Sequence, residues 1–115
     1  RTNPPTSGPH YPVLVDPNFY VSAKSRSNLV HSMEHGMVVI HYDTPGDEAI
    51  ATIRQWTGLF GGPWSGLIAV RRLGLGEKLI LTAWRRILRL DRFEEKSSAA
   101  FIDAFRGRGP EKAVR

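Results

Sequence analysis

All four histidines of this chain, His10, His31, His35 and His41, fall within its first 41 residues, and their spacing could do chemistry. His31 and His35 stand four positions apart. On a helix that spacing is one turn, so the two imidazoles leave the same face and can reach a single metal ion. Neutral imidazole suits copper, zinc or nickel. If the stretch before the helix folds back, His10 is the expected third nitrogen donor, with His41 or Glu34 as candidates for the remaining positions. Met33 and Met37 would favour copper(I), but their helical phase turns them toward the core. The alternative is structural: the same rings can hydrogen-bond carbonyls of a proline-rich segment that cannot pair its own backbone.

No reaction is named by the remaining residues. HSMEH, from His31 to His35, has the H-x-x-E-H pattern of inverted zinc proteases, with Glu34 in the place of the general base. Gly36 then ends the helix at once, and the chain is short for a protease cleft. GPWSG (Gly62 to Gly66) lacks the G-x-S-x-G spacing of a nucleophile elbow. Asp43, Asp47 and Glu48 lie at a helix start, where carboxylates serve as caps. With no cysteine in the sequence, disulfides, thiolate nucleophiles and cysteine-bound zinc are excluded.

The elements that must hold these histidines follow from hydrophobic period and punctuation. At 115 residues, with 41% hydrophobic and 23% charged residues, the composition is that of one globular domain. Pro4, Pro5, Pro9, Pro12 and Pro17 exclude a long helix or a central strand from the opening stretch. Its Tyr11, Val13, Leu14, Val15, Phe19 and Tyr20 are more apolar surface than a free linker holds. Residues 1–26 therefore read as an ordered proline-rich arm, and residues 27–115 as an α+β core.

Within that core, SNLVHSMEHG reads as a short His-bearing helix capped by Ser27 or Asn28 and stopped by Gly36, with Leu29, Met33 and Met37 facing inward. MVVIHY (Met37 to Tyr42) is a strand covered on both faces. Thr44, Pro45 and Asp47 open a helix from about Pro45 to Leu59, with Ile50, Ile53, Trp56 and Phe60 as its apolar face. WSGLIAV (Trp64 to Val70) is a second strand, parallel to the first through a right-handed crossover. KLILTAW is a third, expected antiparallel to the second. RRILRL (Arg85 to Leu90) reads as a continued or bulged strand. Asp91 and Glu94 open a last helix carrying Phe93, Phe101 and Phe105 and stopping near Gly107. The expected fold is a small mixed sheet of three to four strands in a βαββα core. A thioredoxin-like sheet suits that order, without the CxxC redox pair.

The strings NPPTSGPHYP (Asn3 to Pro12), VHSMEHGMVVIHY (Val30 to Tyr42), LTAWRRILRLDRF (Leu81 to Phe93) and FIDAFRGRGPE (Phe101 to Glu111) resemble the bacterial family known as domain of unknown function 3105. The similarity covers nearly the whole chain, and NPPTSGPH and HSxEHG are its most specific parts. VLVDPNFYVSAKSRSN aligns poorly, so nothing carries over for Val13 to Asn28. The resemblance implies a secreted or membrane-anchored, extracytoplasmic protein whose leader or anchor lies outside this sequence; it implies no activity.

A formal charge of +5 favours anionic partners at low salt. Arg71, Arg72, Lys78, Arg85, Arg86, Arg89 and Arg92 fall near Trp84 and Phe93, a mixture that can bind nucleic acid. Outside the cytoplasm, an anionic surface or an acidic envelope partner is the more natural target. The longest apolar runs fall far short of the roughly 20 residues a membrane span requires. Two readings therefore go forward: a histidine metal site for copper or zinc, and a non-catalytic module that docks an envelope partner or an anionic surface.

Overall fold

The computed structural model describes residues 14–110. Eight elements follow in order: β1 (Asn18–Phe19), α1 (Arg26–Glu34), β2 (Val38–Tyr42), α2 (Asp47–Leu59), β3 (Leu67–Arg71), β4 (Leu79–Ala83), β5 (Arg86–Leu90) and α3 (Glu95–Phe105). The strands form one five-stranded mixed sheet in the order β1-β3-β2-β4-β5. β1, β3 and β2 are parallel, and β4 and β5 continue antiparallel.

This is the expected α+β class with a larger sheet. Two strands account for the difference. Asn18 and Phe19 pair with Ile68 and Ala69, so the opening stretch itself contributes an edge strand, hidden in the sequence by its brevity and by the neighbouring Pro17. RRILRL does not continue β4; the chain reverses through Trp84 and Arg85, and Arg86 pairs back with Ala83. The third strand of the sequence reading, β4, is also placed differently. It pairs with β2 rather than with β3, because β3 already has β1 on its other side.

Alternation along β2 explains its unbroken apolar run. Val38, Ile40 and Tyr42 point to one face, where they meet Ile53 of α2 and Phe101 and Ile102 of α3. Val39 points to the other, with Ile68 and Val70 of β3, Leu29 of α1 and Val15. A strand between two apolar layers has no polar face to show.

Helix starts differ from expectation. Ser25 caps α1, its hydroxyl accepting from the Asn28 N–H at 3.4 Å, so the helix begins before Ser27. α2 begins at Asp47, after Gly46 with φ +108°, and no side chain caps it. Thr44 instead donates its N–H to the Gly76 carbonyl at 2.8 Å. Ahead of α3, the Glu94 carboxylate accepts from the Ser97 hydroxyl at 2.9 Å rather than from a backbone amide.

Candidate metal centre

The rotation of α1 about its axis decides where its histidines go, and Ser32 sets that rotation. Its hydroxyl is fully buried, accepts from the Val15 N–H at 2.8 Å and donates toward the Val15 carbonyl at 2.8 Å. A buried extended segment needs partners for its backbone groups, and one serine supplies both for Val15. Leu29 is buried on the same side and Met33 packs against that core. His31 and His35 are left half-buried on the helix flank.

The two rings are brought together. Their centroids lie 4.9 Å apart with perpendicular planes. His35 also stacks face to face on Trp64, with centroids 3.9 Å apart and planes 3° from parallel. Trp64 lies just before β3 and thereby fixes the orientation of the second imidazole.

A dense backbone junction lies beneath this pair. Gly36, with φ +108°, is so close to the preceding β3 loop that a Cβ there would sit 2.3 Å from the Trp64 carbonyl oxygen. Gly107 donates its N–H to the Gly36 carbonyl at 2.8 Å. A Cβ on Gly109 would fall 2.3 Å from the Glu34 carbonyl oxygen and 2.4 Å from the Gly36 nitrogen. The EHG and RGRGP strings, seventy residues apart in the chain, are two halves of one contact at which only glycine fits.

Other residues singled out from sequence are dispersed. His41 lies on β2, with Nε2 3.5 Å from the Thr82 hydroxyl. Burial, with Arg72 adding to it, lowers its pKa to about 4, so the ring is neutral near pH 7. Among the described residues, no three His, Asp or Glu side chains gather as a metal would require. Neither His41 nor Glu34 therefore completes a three-donor set with the helix pair there. His10 lies outside the described residues.

Asp43 is occupied structurally. Its carboxylate accepts from Arg71 Nε at 2.9 Å and from the Gly74 N–H at 3.0 Å, and the Arg71 hydrogen bond first of all holds its pKa below the ordinary carboxylate value. Asp47 and Glu48 stand in the first turn of α2, as helix-start residues. Sequence reasoning passed over Trp64, Ser32, Gly107 and Gly109. The GRG tripeptide after the last helix has the form of a helix stop, and a polar Ser32 inside a helix gives no sign of facing the core.

The chain belongs to the family described as "Protein of unknown function (DUF3105)", whose profile matches residues 1–115. Searches of curated proteins and of solved structures each gave no match.

Proposed function

We propose that this member of the DUF3105 family is an extracytoplasmic domain that binds a copper or zinc ion through His31 and His35, with His10 of the leading stretch as the third ligand. The observation that carries this reading is the ring pair one turn apart at 4.9 Å. With metal–nitrogen bonds of about 2.0–2.1 Å and roughly 1.1 Å from nitrogen to ring centre, two imidazoles on one tetrahedral ion stand about 5 Å apart. Trp64 supports the site by stacking on His35, which limits the rotation of one ligand ring.

Equilibrium dialysis of the full chain against copper(II) and zinc, followed by elemental analysis, tests it. About one ion per chain is expected, lost in a His31→Ala, His35→Ala variant and reduced in His10→Ala. Absence of stoichiometric metal in the unmodified protein ends the proposal.

The arrangement of three parallel strands extended by an antiparallel hairpin, with helices on both faces, supports a thioredoxin-like assignment of the sheet. Such a scaffold carries no thiol–disulfide chemistry here, since the chain has no cysteine. A second reading, a non-catalytic docking module, is favoured by the glycine junction. Gly36, Gly107 and Gly109 account for the EHG and RGRGP strings as packing alone. Full retention of fold and partner binding by the histidine double variant would favour that reading.

A further inference from the structure

The β4–β5 hairpin turns in two residues, Trp84 and Arg85, and Arg85 sits at φ +62°. It is the one non-glycine among the described residues with positive φ. That conformation costs an L-residue roughly 1–2 kcal/mol, and asparagine or glycine are the usual occupants of such turns. Folding does not require arginine there. A strained backbone that a glycine would relieve directs attention to the side chain it presents.

What it presents is a belt of arginines and rings across one end of the molecule. The Arg85 guanidinium is 5.9 Å from the centre of the Trp84 ring. Arg86 lies 5.4 Å above Phe105, whose carbonyl accepts from the Arg108 N–H at 3.2 Å. Arg106 sits 4.2 Å over Phe60 and donates to the Ser65 carbonyl at 3.0 Å, beside Trp64. Arg85, Arg86 and Arg108 are exposed, Trp84 and Trp64 are half-buried, and Leu59, at the end of α2 in the same region, is 67% exposed. The groove lined by Phe19, Tyr42, Asp43, Asp47 and Arg54 lies at the opposite end, beyond the carboxyl ends of the parallel strands.

We infer that this end is a contact surface for an anionic lipid bilayer, with Arg85, Arg86 and Arg108 meeting headgroup phosphates and Trp84 and Leu59 entering the interfacial layer. Arginine pairs with phosphate oxygens through several donors at once, and tryptophan prefers the boundary between headgroup and chain. Cations spread over an exposed hairpin tip and the neighbouring helix end suit a continuous charged surface. A small anion or a peptide would call for convergence on a cleft. The inference rests on residues other than the metal ligands and holds whether or not the ion binds.

The test is co-sedimentation of the full chain, in chelator, with phosphatidylcholine vesicles and with vesicles containing phosphatidylglycerol. Binding to the anionic vesicles, little to the neutral ones, and release by salt are expected. Each of Arg85→Gly and Arg86→Gln should weaken binding about fivefold, the worth of one basic residue at such a surface. Arg85→Gly should at the same time leave the melting temperature equal or higher, which separates lost contact from lost fold. Equal binding to both vesicle types, or variants that bind as the unmodified chain does, overturns the inference. So does preferential retention on soluble polyglutamate, which would make the partner an acidic protein.

Discussion

His41 couples the sheet to pH. Its pKa is lowered to about 4 in the folded chain, from 6.5, chiefly because burial disfavours the imidazolium and secondly because Arg72 is nearby. In the unfolded chain the ring takes up a proton as pH falls through 6.5, while in the fold it does not until about 4. The unfolded state therefore binds more protons across that window. Stability is full above the unfolded value and declines as pH drops, by up to about 3 kcal/mol at the lower limit. Urea unfolding between pH 4 and 8 should show this slope in the unmodified protein and a flatter profile in His41→Gln. A histidine variant with an unchanged slope would assign the dependence to other groups. Asp43 acts in the same direction at lower pH, since its carboxylate is held below its ordinary value by Arg71. Asp43→Asn should free the loop that Gly74 anchors, read as faster hydrogen exchange at Gly74.

Two features of α1 carry most of the local energetics. Ser32 satisfies both backbone groups of Val15, so Ser32→Ala leaves a buried donor and acceptor without partners, at about 1–3 kcal/mol each. At the helix end, Gly36→Ala forces a methyl group against the Trp64 carbonyl in a left-handed backbone, and Gly109→Ala, where the backbone is ordinary, forces one against the Glu34 carbonyl and the Gly36 nitrogen. Each should lower stability by roughly 2–4 kcal/mol, which is a fall of at least 8 °C in melting temperature at about 4–8 °C per kcal/mol. A fall of under 2 °C in either variant would show that the junction opens without penalty.

These same elements mark how far the sequence could be read. Period and punctuation were enough to locate α1, β2, α2 and α3, though not the caps and first residues of the helices, because apolar spacing and stop residues act within a single segment. The parallel pairing of β2 and β3 followed from the helix that joins them, since parallel strands need a crossover connection. What stayed hidden depends on contacts between distant segments. The partner of β4 is decided by which edge β1 occupies, and Gly109 has meaning only when set against Glu34. The i, i+4 spacing correctly put His31 and His35 side by side. It could not say that Trp64 would stack on one of them, or that His41 would turn to Thr82.

At the scale of the molecule, one sheet separates two apolar layers, and its strands differ in how thoroughly they are held. β2 is paired on both sides and lies between both layers, with Val38, Val39 and Ile40 at most 1% exposed. β5 is paired only with β4, Ile87 is 50% exposed on its outer face, and Arg86 and Arg89 flank it. Basic residues along an open edge discourage pairing with another chain, yet they add nothing that holds the strand in place. Opening free energies range from near zero to the global value according to such differences. Hydrogen exchange followed by mass spectrometry should therefore find β2, β3 and β4 exchanging only through global unfolding, with β5 opening at least about tenfold more often, a gap of about 1.4 kcal/mol or more. If β5 proves as protected as β2, the hairpin is braced by the surface beneath it more firmly than its single row of backbone bonds implies. Its tip would then be rigidly presented, which would raise the vesicle affinity gained from Trp84 and Arg85 by lowering the ordering penalty on contact.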